Sequence, residues 1–236
     1  MNIIRLLSGF MADLTGVRTC PVCDRELLDG EEAICIGCLS TLPRTATQHM
    51  SGRYADIFAN AVAPQGLTEA WFDYDPESPY AQIIRRAKYY DSPRLARTLG
   101  RAFGRELTHR YGTLPVDVLL PVPMHWIKRM RRSYNQSEEI AGGISETTGI
   151  PVGDNLTTLH RHSTQTRKNN EARRANIKGT VGVDAPEELQ GLRIAIVDDI
   201  VTTGATIAEC VAALSLSGAR PQTIGFITLG ATYQRR

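Results

Sequence analysis

The chain has 236 residues, of which 42% are hydrophobic, and its formal net charge at neutral pH is +2. A chain of this length buries a sizeable core, either as one domain or as one domain with a small appendage. The nearly balanced charge excludes a polyanion-binding field over the whole molecule, so basic clusters have to be judged one by one.

The N-terminal segment MNIIRLLSGFMADLTG contains only short apolar runs, which Arg5 and Asp13 interrupt. These runs are too short for the hydrophobic part of a secretory signal or for a membrane span. We therefore interpret the segment as an amphipathic helix that packs on its own domain. Because no other segment approaches the length of a bilayer span, the sequence predicts a cytoplasmic protein with no membrane partner.

A cysteine-rich segment follows, in which four of the five cysteines form two pairs, Cys20-x2-Cys23 and Cys35-x2-Cys38. A two-residue gap lets both sulfurs of a pair face one point, and two pairs complete the tetrahedral thiolate site that zinc prefers. Disulfides or free thiols are the alternatives, and the absence of a secretory signal disfavours disulfides. The sequence therefore predicts a structural zinc site, because four thiolates leave no coordination position open for catalysis.

The rest of the chain predicts strands and helices in alternation. AWFDYDPESP indicates a strand that runs into a turn, and residues 79–111 indicate two helices separated near Asp91-Ser92-Pro93. VDVLLPVP indicates a buried strand, and SYNQSEEIAGGISETTG indicates a helix that Gly149 ends. LRIAIV, GATIAECVAALSLSGA and TIGFITLG then indicate strand, helix and strand. This order predicts an α/β fold with a parallel sheet and crossover helices.

Two adjacent carboxylates, Asp198 and Asp199, lie between an apolar strand and the loop IVTTGAT. Ligands of open parallel sheets bind beyond the carboxyl ends of the strands, where this pair is expected. The N–H groups and positive dipole end of the following helix suit a phosphate, and Gly204 allows its close approach. The carboxylates suit ribose hydroxyls or a hydrated Mg²⁺. The stretch therefore predicts a sugar-phosphate site.

The same stretch, IAIVDDIVTTGAT, resembles the 5-phosphoribosyl 1-pyrophosphate (PRPP) motif of type I phosphoribosyltransferases. The segments PVPMHWIKRMRRSYNQSEEIA and LHRHSTQTRKNNEARRANIKGTV, with the cysteine pairs, resemble the ComF/GntX family of amidophosphoribosyltransferase-like proteins. The match departs at Ser133-Tyr134, where the family usually has Gly and Phe. The resemblance implies a parallel-sheet type I phosphoribosyltransferase fold with a small N-terminal four-cysteine zinc knuckle. We divide the chain into an N-terminal helix and knuckle (residues 1–45), a connector (46–69) and a phosphoribosyltransferase-like domain (70–236).

The resemblance also implies that the chain binds PRPP with Mg²⁺ and transfers phosphoribose to an unidentified nitrogen acceptor, within nucleoside metabolism. Arg161 and Arg173 would reach the pyrophosphate from a mobile loop and act as catalytic residues together with Asp198 and Asp199, which would also hold Mg²⁺ through ribose hydroxyls or water. The residues expected to bind PRPP are Lys88, Pro123, Met124, His125, Asp198, Asp199, Thr202, Thr203, Gly204, Ala205 and Thr206.

Two other functions stay open at this point. The chain could bind PRPP or a nucleotide as a sensor without catalysis, or it could be an accessory factor in DNA uptake that contacts the uptake machinery through the cysteine segment. The second follows from the family's link with competence. Aromatic and basic residues are sparse in that segment, which argues against direct contact with nucleic acid there. Type I relatives often dimerise, so the resemblance also implies a homodimer.

Overall fold

A computed structural model of the chain describes residues 18–46, 50, 54–59, 61–89, 93–124, 134–159 and 180–232. The α-helices are α1 (Ile36–Ser40), α2 (Ala81–Tyr89), α3 (Pro93–Tyr111), α4 (Gln136–Thr148) and α5 (Ala205–Leu216). The strands are β1 (Gln65–Tyr74), β2 (Val118–Pro121), β3 (Leu156–Thr158), β4 (Val181–Val183), β5 (Arg193–Val201) and β6 (Thr223–Thr232), and short 3₁₀ helices span Ala55–Phe58 and Pro186–Leu189. The N-terminal segment predicted as an amphipathic helix lies outside the described residues.

The centre of the molecule is a four-stranded sheet in the order β1-β6-β5-β2, and every neighbouring pair is parallel. The inner strands β5 and β6 are mostly apolar and buried, as expected for strands that are covered on both faces. Helices α2, α3 and α4 pack on one face, whereas α5 and Ala55–Phe58 pack on the other. The predicted parallel-sheet α/β fold is confirmed.

The predicted helix boundaries have visible causes. Helix α4 begins after Asn135, whose side-chain oxygen accepts a hydrogen bond from the Ser137 N–H at 3.1 Å. It ends at Gly149, which has the left-handed conformation (φ = 73°) that favours glycine at helix ends, as predicted. Helices α2 and α3 are separate, with Pro93 as the first residue of α3.

The N-terminal part of the described chain packs into the same core as the sheet. The apolar side chains of Leu27, Ile34 and Leu42 share one buried cluster with Trp71 and Phe72 of β1. The chain then pairs with the outer edge of β1: the Asp73 N–H donates to the Pro43 carbonyl at 2.7 Å, and the Thr45 N–H donates to the Trp71 carbonyl at 3.3 Å. This pairing covers an edge that would otherwise expose unpaired backbone groups.

The domain boundaries stay a prediction, although β1 begins at Gln65, within the segment interpreted as a connector. In the described parts of the chain, no helix combines the length and the hydrophobicity that crossing a bilayer requires.

Candidate functional site

Four cysteine thiols converge in the N-terminal part of the structure. The Sγ atoms of Cys20, Cys23, Cys35 and Cys38 all lie within 4.8 Å of one another, and those of Cys23 and Cys35 are 3.8 Å apart. Tetrahedral zinc with Zn–S bonds of about 2.3 Å places its sulfurs about 3.8 Å apart. The four residues therefore fit a zinc ion, and in the described chain all five cysteines are free of disulfides.

Local backbone contacts orient these thiols. Cys35 precedes α1, and its sulfur accepts a hydrogen bond from the Cys38 N–H at 3.4 Å. The first pair is turned by Asp24, which adopts a positive φ of 62° and donates its N–H to the Cys20 carbonyl at 2.9 Å. We refer to residues 18–42, which contain both pairs, as the cysteine head.

The acidic pair lies near the carboxyl end of β5, where it was predicted, and each carboxylate has a partner from a different helix. The Ser137 hydroxyl of α4 donates to Asp198 Oδ1 at 3.0 Å, and the Asp199 N–H donates to the same oxygen at 2.8 Å. The Lys88 ammonium of α2 lies 3.0 Å from Asp199 Oδ2. Asp198 Oδ1 is thus engaged within the protein, and Lys88, one of the residues expected to bind PRPP, forms an ion pair with Asp199.

Burial and the neighbouring carboxylate make it costly to ionise Asp198. Burial raises the pKa of Asp198 to about 7, and the neighbouring charge of Asp199 adds to this effect. The hydrogen bonds from the Asp199 N–H and the Ser137 hydroxyl, and the charge of Lys88, act in the opposite direction. Asp198 therefore changes its protonation state near neutral pH, which makes its capacity to accept hydrogen bonds dependent on pH.

The loop after β5 leads directly into α5. Gly204 has φ = 80° and precedes the helix, and the Thr203 hydroxyl accepts a hydrogen bond from the Ala205 N–H at 3.4 Å. A Cβ atom at Gly204 would lie 2.5 Å from Ile57 Cδ1, so the glycine is required by the packing as well as by φ. Thr202, Thr203, Ala205 and Thr206 are exposed, so the loop is accessible to a ligand from solvent.

A cavity of about 320 Å³ adjoins this loop. Its walls combine the loop with the segment before β1, and its lining residues are Tyr54, Asp56, Ile57, Thr202, Thr203, Gly204, Ala205 and Ala208. The Tyr54 hydroxyl donates to the Val201 carbonyl at 3.5 Å, which holds this segment against the end of β5. The carboxylate of Asp56 makes this wall less favourable for an anion than the N–H groups opposite.

The turn after β2 is tied to the same edge of the sheet. The Val122 N–H donates to the Val197 carbonyl at 2.9 Å, and the Asn135 side-chain amide donates to the Val122 carbonyl at 3.0 Å. Pro123 and Met124 follow as half-buried residues, whereas His125 and the basic run at 128–132 lie outside the described residues.

The segment predicted as a mobile catalytic loop, with Arg161 and Arg173, also lies outside the described residues. It connects β3 with β4, which form an antiparallel pair, and the Leu159 N–H donates to the Thr180 carbonyl at 2.8 Å. The Thr180 hydroxyl donates to Glu209 of α5 at 3.0 Å. Both ends of this segment therefore lie beside the helix that follows the threonine loop.

Two parts of the site were missed from the sequence. Ser137, at the start of a helix, resembles an ordinary polar residue of a first turn, and only the fold shows that its hydroxyl faces Asp198. Tyr54 and Ile57 lie in a segment with little pattern, so no local signal marks them as neighbours of the threonine loop. Asn135 and Gln136 lie in a segment that carries the family resemblance, and the structure gives them a positioning role: the Asn135 amide donates to the Val122 carbonyl, and the Gln136 amide donates to the Lys88 carbonyl at 3.4 Å.

Comparison with known proteins gives sequence relatives and solved structures, while no family model matches the chain. The chain is 30% identical over 151 residues to the DNA utilization protein YhgH of Salmonella typhi, covering 62% of this chain and 65% of that protein. It is 30% identical over 138 residues to the Competence protein F of Haemophilus influenzae, covering 56% of this chain and 59% of that protein. The chain spans less than two thirds of the length of these curated relatives.

Among solved structures, the glutamine phosphoribosylpyrophosphate (PRPP) amidotransferase of B. subtilis matches with a TM-score of 0.41 and 20% identity, covering 61% of this chain and 30% of that chain. The names of the two sequence relatives refer to DNA utilization and to competence. They confirm that this chain resembles the ComF family.

Proposed function

We propose that this chain binds PRPP with Mg²⁺ beyond the carboxyl ends of β5 and β2 and transfers phosphoribose to a nitrogen acceptor. The observation that carries the proposal is the pair Asp198 and Asp199 near the end of β5, with Lys88 at 3.0 Å from Asp199 and the threonine loop beginning three residues further along the chain. The helix start suits the 5-phosphate, the carboxylates suit the ribose hydroxyls, and Lys88 supplies a cation for the pyrophosphate.

The chemistry requires charge stabilisation rather than a protein nucleophile. As the acceptor nitrogen bonds to C1 of the ribose, the bond from C1 to the pyrophosphate oxygen breaks, and negative charge develops on the leaving group. When bound, Mg²⁺ would neutralise part of the charge on the diphosphate. Arg161 and Arg173 are proposed to contact the pyrophosphate, and the attachment of their segment beside α5 supports this role.

Binding is tested by calorimetric titration with PRPP and Mg²⁺ on the wild type and on a double variant, Asp198→Asn with Asp199→Asn. A hydrogen bond to a charged group contributes about 1.5–3 kcal/mol, so losing two such groups should weaken binding by a factor of about 100 or more. Asp154→Asn is the matched control, because Asp154 is exposed and lies outside this site. If the double variant binds as tightly as the control, the acids do not hold the ligand and the proposal fails.

Transfer is tested separately from binding. Release of pyrophosphate is measured with saturating PRPP and Mg²⁺ against a panel of nitrogen bases and amines. Acceptor-dependent release identifies a transferase. Tight binding without release for any acceptor favours the second candidate, a PRPP or nucleotide sensor that uses the same pocket.

A role in DNA uptake is a further candidate, because the names of the two relatives refer to competence and DNA utilization. Five acidic and two basic residues lie between positions 18 and 42, so the cysteine head is not an electrostatic match for DNA. We therefore propose that any contact through the head is with a protein of an uptake machine. Salt-dependent binding of the full chain to single-stranded DNA, lost when Arg18 and Arg25 are replaced, would contradict this assignment.

The homodimer implied by the resemblance remains part of the proposal. Light scattering coupled to size-exclusion chromatography, with and without PRPP and Mg²⁺, measures it directly. A molar mass equal to that of a single chain in both conditions would show that the protein is a monomer and would contradict the proposed dimer.

A further inference from the structure

Helix α2 lies between the cysteine head and the acidic pair, and it contacts both. On the head side, the Arg86 guanidinium donates to the Thr19 hydroxyl at 3.4 Å and forms an ion pair with Asp24. Tyr80, the residue before the helix, donates its hydroxyl to the Cys38 carbonyl at 3.2 Å. These three groups of the head directly flank or include the residues that would hold zinc.

On the side that faces the acidic pair, the same helix presents Lys88, whose ammonium lies 3.0 Å from Asp199 Oδ2. Residues two positions apart are rotated by about 200° around a helix axis, so Arg86 and Lys88 point to nearly opposite sides. The Ala87 and Lys88 carbonyls also accept hydrogen bonds from the side chains of Tyr134 and Gln136. The end of α2 is therefore tied to the elements that form the site.

The remaining face of α2 is apolar and packs against the core. Ile83, Ile84 and Ala87 are buried in the core beneath it. A close-packed core resists continuous deformation, so a nine-residue helix is expected to shift or rotate as one body rather than bend. The contacts with Thr19 and Asp24 and the contact with Asp199 are therefore joined by a single helix.

We infer that Arg86 is a positioning residue: it fixes α2 against the cysteine head so that Lys88 meets Asp199, and zinc in the head and PRPP at the acids are thereby coupled. The inference rests on the proposed function for its ligand. Coupling between two binding sites is reciprocal, so zinc should tighten PRPP binding by the same factor by which PRPP tightens zinc binding.

The simpler account is that Arg86 only stabilises the fold. The two accounts differ in Arg86→Gln, which keeps all four cysteines and the buried face of α2. Arg85→Gln is the matched control, because Arg85 is the neighbouring residue and donates to the Pro76 carbonyl at 2.8 Å, within its own segment.

The test compares wild type, Arg86→Gln and Arg85→Gln as full chains. In wild type and Arg85→Gln we expect removal of zinc by a chelator to weaken PRPP binding about 5- to 10-fold, and saturating PRPP with Mg²⁺ to tighten zinc binding by the same factor. In Arg86→Gln, with one zinc per chain retained, PRPP binding should already be weakened to that extent, and PRPP should no longer alter zinc affinity. Equal PRPP affinities and equal linkage in the two variants would overturn the inference.

Amide hydrogen exchange across residues 81–89 in the absence of PRPP separates this inference from the proposed function. Chelation of zinc should accelerate exchange there in the wild type, and Arg86→Gln should show the faster exchange with its zinc in place. If the wild type shows this response but binds no PRPP, the proposed function fails and the link through α2 stands. If exchange in Arg86→Gln matches that of Arg85→Gln, the link is wrong, and this comparison holds even where chelation unfolds the chain.

Discussion

At Asp198, a carboxylate is buried beside a second carboxylate, which costs the folded protein stability when both are ionised. Its neighbours in the fold are a second carboxylate and a buried strand, and the charge is compensated in part by Ser137 and Lys88. A sequence with asparagine at this position would avoid the cost of burying the charge. The fold alone therefore does not require the acidic pair, and the proposed PRPP site would give it a function.

Replacing Asp198 by asparagine should stabilise the ligand-free protein in a pH-dependent way. Burial raises the pKa of Asp198 from the ordinary 3.8 to about 7, so the folded state holds the proton more tightly than the unfolded state. Its stabilising effect is present below about pH 3.8 and is lost as the pH rises toward 7. Asp198→Asn should thus raise the free energy of unfolding at pH 8 by on the order of 1–2 kcal/mol, with little effect at pH 4, in urea titrations.

Asp117→Asn is the control, because the pKa of Asp117 is lowered whereas that of Asp198 is raised. The Arg193 guanidinium donates to the Asp117 carboxylate at 2.6 Å, and this contact with the Arg193 N–H lowers the pKa of Asp117 to about 2. The stabilisation from Asp117 is present above its ordinary pKa of 3.8 and is lost as the pH falls toward 2. Its asparagine variant should therefore be less stable at pH 8. Equal signs for the two variants would contradict the assignment of Asp198.

Ser137→Ala should shift the pH dependence of ligand binding. The hydroxyl stabilises the ionised form of Asp198 by a hydrogen bond at 3.0 Å, so its removal should raise the pKa of Asp198 further above 7. If PRPP binds the ionised pair, the midpoint of binding against pH moves upward by about half a unit to one unit. Calorimetry between pH 5.5 and 9 measures this. Ser145→Ala on the same helix should leave the midpoint where it is.

Among the elements, the contact of α3 with α4 depends on glycines that admit the neighbouring backbone. A Cβ atom at Gly143 would lie 2.0 Å from the Arg97 carbonyl oxygen, and one at Gly100 would lie 2.3 Å from that of Ile140. Gly142, one residue away, would meet only the end of the flexible Arg97 side chain at 2.9 Å. The two helices therefore pack at a distance that only glycine allows at these positions.

This difference predicts opposite outcomes for adjacent substitutions. Gly143→Ala must displace backbone, so it should lower the free energy of unfolding by about 1–3 kcal/mol. Gly142→Ala should be close to neutral or stabilising by about 0.5–1 kcal/mol, because alanine favours the helix. Chemical denaturation of both variants checks this. If Gly143→Ala is tolerated as well as Gly142→Ala, α3 and α4 pack less closely than the structure shows.

Elements with a local signal were predicted well from the sequence. Gly149 at the end of α4, Pro93 at the start of α3 and the apolar runs of β2, β5 and β6 are local signals. Each can be recognised within a few residues of the element that it marks. The start of β1 was not predicted, because Gln65 and Gly66 lack strand character. They extend the strand since Ile224 of β6 pairs with Gln65, and Gly66 leaves room for Thr223, which a Cβ atom would approach within 2.8 Å.

At the scale of the whole molecule, the sequence indicated the candidate metal-binding and ligand-binding residues. It did not indicate which distant segments contact one another. The cysteine spacing predicted that the four thiols lie close together. The acids and the threonine loop predicted a strand that ends near Asp198 and Asp199. The pairing of residues 43–45 with β1, and the approach of Tyr54 and Ile57 to the threonine loop, depend on tertiary contacts between segments without periodicity. Such contacts are set by the complete fold, so sequence spacing could not predict them.

Removing zinc should therefore destabilise more than the cysteine head. Leu27, Ile34 and Leu42 share a core with Trp71 of the sheet, so loosening the head exposes apolar surface of the main domain. We expect one zinc per chain by elemental analysis, and a fall in the thermal midpoint on chelation of about 4–8 °C for each 2 kcal/mol lost, on the scale of a chain of this size. Cys35→Ser should abolish zinc binding and reproduce the fall, whereas Cys210→Ala, which alters a buried cysteine of α5, should retain the metal. A chelated protein that melts at the temperature of the zinc-loaded one would show that the head is docked without help from the metal.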